Sequence, residues 1–279
     1  MDMKKRLEFA VKIAKEAGNL TLKHFDKPGL RVERKRDGTP VTKADRGAEK
    51  LLRRRIAEEF PNDAILGEEF PDRSGTSGLR WILDPIDGTK SFIHAVPFYS
   101  TLIGIEKYDP ADPDNHKKSE MLAGVIWLPA LKRGVWAQKD EGAFEEHPKL
   151  DKPIPAKVAA ISDLYMACFL TSEVKTFAET SRAAVYTDLE NRCRLTRTWG
   201  DAYGYYLVAT GRADLMVDPE MSPWDCGPLV TVLAEAGGKF VDWRGSETIY
   251  GGDGIAGNRE LVDQTLQVIA DLGAREPKR

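Results

Sequence analysis

The sequence predicts an α/β fold in which short strands deliver acidic residues to one edge of a sheet. Three observations carry this. Runs with apolar residues at helical spacing alternate with short aliphatic runs bounded by Gly, Pro and Asp. At 279 residues the chain is ample for a sizeable core, as one large domain or two intimate halves. The aliphatic runs end in acids: Glu68-Glu69, Asp84 to Asp87, and Asp218 with Asp225 shortly beyond it. Neighbouring strands would bring the first two clusters together, as ligand sites in α/β sheets require.

Composition narrows the function classes. The chain is 42% hydrophobic and 30% charged, the balance of a globular protein without membrane spans. Its net charge of −3, from 41 basic and 44 acidic residues, gives no reason to expect nucleic acid or an anionic membrane as partner. The uncharged stretch from Met121 to Leu131 contains Pro129 and is far short of the about 20 apolar residues a membrane helix needs. Lys12, Lys15 and Glu16 interrupt any signal-like core at the N-terminus. Cys168, Cys193 and Cys226 are few, odd in number and widely spaced. They read as reduced thiols of a cytoplasmic protein, and no Cys-x-x-Cys zinc pair exists.

Taken in order, Leu7, Ala10, Val11, Ala14 and Ala17 mark an amphipathic helix ending near Gly18 or a turn beyond. Arg31 to Arg36 with Asp37-Gly38 is a charged segment entering a turn, read as a solvated loop, with a basic flap over a phosphate as the sharper alternative. A second helix runs from Thr42 to Glu59, with Asp45 in its first turn, where a carboxylate suits the dipole, and Arg53 to Arg55 on a solvated face. Ala64 to Leu66 is a short strand before Gly67-Glu68-Glu69. Leu79 to Leu83 is a buried strand ending in Asp84-Pro85-Ile86-Asp87, after which Gly88-Thr89 opens a helix. Phe98 to Tyr108 alternates as a strand, Asp109 to Lys118 is a loop, and Met121–Leu128 and Gly134–Gln138 form an antiparallel pair joined at Pro129.

Gly142 to Pro155 reads as a connection between an N-terminal α+β half (about 1–145) and a C-terminal α/β half (about 146–279). A strand over 157–169 and a helix over 173–190 follow. The next helix starts near Gly200 and stops at Gly211, and the strand from Arg212 to Val217 ends in Asp218. Trp224-Asp225 opens a helix through Glu235, closed by Gly237-Gly238. Strands at 238–243 and 254–257 and a final helix from Glu260 to Leu272 complete the chain.

The acids state the chemistry. Glu68, Asp84, Asp87 and Asp225 offer oxygen and no sulfur or imidazole, which points to Mg²⁺ or Mn²⁺ and away from zinc. Gathering these carboxylates without a cation would be strongly unfavourable. A helix opening at Gly88-Thr89 beside them adds backbone N–H groups that suit an anion, so a phosphate bridged to Mg²⁺ satisfies both. An aspartyl-nucleophile phosphatase needs Asp-x-Asp-Gly-Thr, but Pro85 stands where its nucleophile belongs. None of the cysteines lies in a phosphate loop ending in Arg. Metal-activated water remains.

Asp45, Gly67-Glu68-Glu69, Asp84-Pro85-Ile86-Asp87-Gly88-Thr89 and Trp224-Asp225, in this order, resemble the motifs of the inositol monophosphatase-like family of Mg²⁺-dependent, lithium-sensitive phosphatases. The resemblance covers nearly the whole chain. It implies a layered α/β/α/β/α sandwich and a homodimer acting on a small phosphate monoester. It also implies roles. Glu68, Asp84 and the Ile86 carbonyl would hold one metal, and Asp84, Asp87 and Asp225 a second, with two or three per site. Thr89 and Glu68 would orient the attacking water, with Asp45 supporting Thr89. Gly88 and Thr89 would hold the phosphate, and Asp87, Asp201, Ala202 and Asp218 would face the leaving group. Cys226-Gly227-Pro228 departs from the family, which commonly has Ala after Trp-Asp-x-x.

Within the family, Asp-Gly-Thr-Lys-Ser-Phe, Gly200 to Tyr203 and Val241 to Gly245 look most like the histidinol-phosphate phosphatases of histidine biosynthesis. Asp201 and Asp218 would suit the ammonium and imidazole of such a substrate, whereas inositol is neutral. A broader inositol or sugar phosphatase is the alternative. A partner-binding protein on the same fold is a third reading, disfavoured because every acid is retained.

Overall fold

The computed structural model describes residues 2–35 and 38–276, so Arg36 and Asp37 of the basic segment lie outside the described residues. Helix α1 (Met3–Thr21) buries Ala10, Ile13, Ala14 and Ala17, the stripe its spacing predicts. Strands β1 (Val32–Arg34) and β2 (Pro40–Thr42) pair as an antiparallel hairpin ahead of α2 (Lys43–Glu59). Then come β3 (Ala64–Gly67), β4 (Leu79–Asp87), the single turn α3 (Thr89–Ile93) and β5 (Ser100–Lys107). Strands β6 (Glu120–Leu128), β7 (Arg133–Gln138), β8 (Gly142–Glu146) and β9 (Ile154–Pro155) complete a seven-stranded sheet in sequence order. Only β3 and β4 pair in parallel; the other ladders of this sheet are antiparallel.

The remainder builds a five-stranded sheet and its helices. In chain order these are β10 (Cys168–Leu170), α4 (Val174–Glu179), α5 (Ala183–Arg192), β11 (Leu195–Arg197), α6 (Asp201–Ala209) and β12 (Leu215–Asp218). They are followed by α7 (Pro223–Cys226), α8 (Leu229–Glu235), β13 (Lys239–Val241), β14 (Gly254–Gly257) and α9 (Arg259–Asp271). The sheet order is β11-β10-β12-β14-β13.

Burial places the layers. Ala14, Leu52 and Ile56 of α1 and α2 pack with Trp81, Ile103 and Val125 on one face of the larger sheet. Ile82, Leu102 and Ile126 on its other face pack with Tyr206 and Leu229 of α6 and α8, and these with Met216 and Phe240 of the smaller sheet. The far face of that sheet, Phe169, Leu215 and Ile255, is covered by Val185 and Leu189 of α5 and by Leu261 and Val268 of α9. The result is the α/β/α/β/α sandwich. Helices α7 and α8 press on the larger sheet at two glycines: a Cβ on Gly104 would come 2.5 Å from the Gly227 carbonyl oxygen, and one on Gly124 2.4 Å from that of Pro228.

Several elements differ from expectation. Residues 142–155, read as a connection, contribute β8 and β9 to the larger sheet. Strand β4 does not stop at Leu83 but continues to Asp87, and its ladder with β5 slips between Asp84 and Asp87. Pro85 sits in that slip, where its missing N–H breaks no regular pair. The expected strand over 157–169 shrinks to β10, and the helix over 173–190 divides into α4 and α5. The helix from Trp224 to Glu235 is broken at Gly227-Pro228, where the backbone must clear Gly104.

Candidate active site

The parallel pairing of β3 with β4 sets Gly67 opposite Leu83, so Glu68 and Asp84 leave adjacent strands side by side. The Glu68 amide donates to the Leu83 carbonyl at 3.3 Å, and the Glu68 carboxyl lies within hydrogen-bond reach of Asp84. Asp84 turns back on its own chain, its Oδ1 accepting from the Ile86 amide at 3.0 Å. Asp87 Oδ2 accepts from Ser100 Oγ at 3.0 Å and from the Ala202 amide at 2.7 Å. Asp225 comes from α7, in the helical layer between the two sheets. It forms a capping box at the start of α7, its Oδ2 accepting from the Ser222 amide at 2.8 Å. Ligand oxygens of Asp84, Asp87 and Asp225 all fall within 4.8 Å of one another.

Such crowding is legible in the protonation of the group. Burial raises the pKa of Asp84 and Asp87 well above the ordinary carboxylate range, and their acidic neighbours push further. Burial likewise lifts Asp225 to about 7, reinforced by Glu68 and Asp201. Glu68 is raised too, again chiefly by burial. These oxygen-only, buried, mutually repelling carboxylates fit a hard divalent cation, which would replace shared protons as their counter-charge.

Asp45 and Thr89 meet beside this cluster. Asp45 Oδ2 accepts from the Thr42 amide at 2.8 Å, closing a capping box at the start of α2, and this leaves Oδ1 3.4 Å from Thr89 Oγ1. Thr89 Oγ1 is also 3.1 Å from the Ile86 carbonyl oxygen. One hydroxyl proton can serve only one of these two acceptors, so lone pairs of Thr89 stay available to a water. Burial raises the Asp45 pKa despite its bonds to Thr42.

Two features escaped sequence reasoning. Lys35, on the hairpin, places its Nζ 2.6 Å from Glu68 Oε1 and 2.6 Å from Glu69 Oε1. Burial works against its charge, but the two glutamates hold its pKa above the ordinary lysine range. The basic segment therefore reaches the acids and is not merely solvated at Lys35. Glu49 is fully buried, accepting from Arg53 Nε at 2.7 Å and from the Glu69 amide at 2.8 Å. Arg53 also donates to the Phe70 and Pro71 carbonyls, so it anchors the loop carrying Glu68 and Glu69, where the sequence suggested a solvated face. The i,i+4 spacing of Glu49 and Arg53 was the available signal.

Asp201 and Ala202, which the resemblance implies face the leaving group, begin α6 next to Gly88. Gly88 has φ 78, and a Cβ there would come 2.8 Å from Asp201 Oδ2. Burial raises Asp201 to about 6, with Asp218 adding to the shift and Lys90 opposing it. Asp218 does not present itself to a ligand. It is 3% exposed, and its oxygens accept from Thr171 Oγ1 at 3.0 Å, the Ser172 amide at 2.8 Å, Ser172 Oγ at 2.9 Å and Tyr205 Oη at 2.9 Å. Its predicted substrate contact is corrected to an internal one, because those donors occupy both oxygens.

Comparison with known proteins agrees with this architecture. The model of the inositol monophosphatase family matches residues 2–273. A histidinol-phosphatase of Chlorobaculum parvum is 39% identical, over 98% of this chain and 98% of its own. One of Mycobacterium tuberculosis is 34% identical, over 93% of this chain and 96% of its own. The solved extragenic suppressor protein suhB of Bartonella henselae superposes with a TM-score of 0.83 at 25% identity, covering 95% of this chain and 98% of its own.

Proposed function

This chain belongs to the inositol monophosphatase family, and from that premise we propose that it hydrolyses L-histidinol phosphate to L-histidinol and phosphate with Mg²⁺ as cofactor, Mn²⁺ serving as a substitute. It is a phosphoric monoester hydrolase. Convergence of Asp84 and Asp87 from β4 with Asp225 from α7, within 4.8 Å, is the observation that carries the mechanism. The histidinol-phosphatases at 39% and 34% identity support the substrate.

In this reading Glu68, Asp84 and the Ile86 carbonyl hold one cation, and Asp84, Asp87 and Asp225 another. Bound there, divalent cations supply Lewis-acid charge and an acidified water. Thr89 accepts a hydrogen bond from the attacking water and donates its own proton toward Asp45, fixing the water's direction. Glu68 orients the same water. The Gly88 and Thr89 amides hold the phosphoryl group, and Ala202 and Asp87 border the leaving oxygen. Asp201, ionised at neutral pH given a pKa of about 6, faces the ammonium of the substrate. We read the protein as cytoplasmic from its free cysteines at 168, 193 and 226, and as a homodimer because the family resemblance implies one; no helix among the described residues is long and apolar enough to cross a membrane.

Steady-state kinetics with Mg²⁺ on L-histidinol phosphate and inositol 1-phosphate test the substrate. A kcat/KM at least about tenfold higher for the histidinol ester, ~1.4 kcal/mol in transition-state binding, is expected. Preference for the inositol ester overturns the substrate assignment and leaves the hydrolase in place.

A further inference from the structure

Asp201 has φ 53, in the left-handed region that few residues other than glycine enter, Asp and Asn more readily than most, and its surroundings hold it there. Those surroundings are specific. The Asp201 amide donates to Ser172 Oγ at 2.8 Å, and the Ala202 amide to Asp87 Oδ2 at 2.7 Å. Preceding it, Gly200 lies so close to the other segment that a Cβ would come 2.1 Å from the Ser172 Cα. Ser172 has one proton, and it goes to Asp218 Oδ2 at 2.9 Å. An ionised Asp218 can only accept, so the hydroxyl is turned with a lone pair toward the Asp201 N–H. Thr171, Tyr205 and the Ser172 amide fix Asp218 in turn.

We propose that Ser172 is a positioning residue for substrate selection: clamped by Asp218, it holds the Asp201 backbone so that the Asp201 carboxylate stays over Gly88, beside the leaving group. Asp218, occupied on both oxygens, acts through Ser172 and not on substrate. The relay gives the amide that this left-handed turn directs inward a fixed acceptor.

The kinetic readout rests on the substrate reading above; a structural readout does not. Ser172→Ala, Asp201→Asn and the double variant are compared with the parent enzyme on L-histidinol phosphate and inositol 1-phosphate, with amide exchange followed over 200–202. Ser172→Ala is expected to lower the preference for the histidinol ester about tenfold, mainly through KM, and to speed exchange at 200–202. In the Asp201→Asn background, adding Ser172→Ala changes the preference no further, the signature of two residues acting as one. Equal loss on both esters, or additive losses in the double variant, overturns the proposal. If the parent enzyme prefers the inositol ester, the substrate reading fails and exchange alone decides: faster exchange sustains the relay, unchanged exchange refutes it.

Discussion

Binding of Mg²⁺ should expel protons from the acidic cluster, and the number expelled should fall as pH rises. Burial and neighbouring acids place Asp225 at about 7 in the metal-free protein. A group with that pKa carries about 0.9 proton at pH 6 and about 0.1 at pH 8. A cation competes with that proton for the same oxygens. Apparent Mg²⁺ affinity should therefore strengthen by about tenfold, ~1.4 kcal/mol, between pH 6 and pH 8 from this residue alone. Asp84 and Asp87, also raised, act in the same direction, so these figures are lower limits. Titration calorimetry in two buffers of different ionisation enthalpy at each pH gives both quantities. Proton release that is absent at pH 6, or constant across the range, would refute the assignment of these carboxylates as shared cation ligands.

Other perturbations follow from the same geometry. Asp225→Asn keeps the capping acceptor but removes a charge from a crowded buried group; Tm of the metal-free protein should rise by a few degrees at pH 8, by less at pH 5 and hardly at all below about pH 4, while turnover disappears. The sign follows from the raised pKa, since the folded state resists ionising what the unfolded chain ionises readily, and this penalty accumulates as pH rises toward 7. Thr89→Ala should lower kcat about 10²-fold with KM for the ester nearly unchanged, because the hydroxyl acts on the water; an effect confined to KM would reassign it. Lys35→Met should tighten Mg²⁺ binding several-fold in calorimetry, since the ammonium occupies Glu68 and Glu69; weaker binding would show that Lys35 assists the site.

Glu68 and Asp84 were legible because each ends an aliphatic run, and β3 beside β4 made their convergence a matter of pairing; Asp225 instead opens a helix, and only the fold brings it to them. The layered sandwich was implied by the family resemblance that those motifs carry. Elements at the sheet's margin were not legible: β8 alternates in burial but against hydropathy, with Phe144 exposed and Glu145 buried, and both residues of β9 are exposed. Lys35 was hidden in a basic run whose composition favours solvent, and only the fold brings it onto Glu68. Asp218 shows the opposite failure. As an acid at a strand end it reads like a ligand, and what removes it from that role is a set of partners 13 to 47 positions away along the chain.

Gly104 and Gly124 have a bearing beyond packing. Asp225 rides on a segment whose standoff from the larger sheet is set where Gly104 meets Gly227 and Gly124 meets Pro228. The gap between Asp225 and the Asp84–Asp87 pair is thus gauged by bare backbone, away from any reacting atom. A single methyl group at this seam would have to push that segment off the sheet and carry Asp225 with it, changing the separation of the carboxylates without altering any of them chemically.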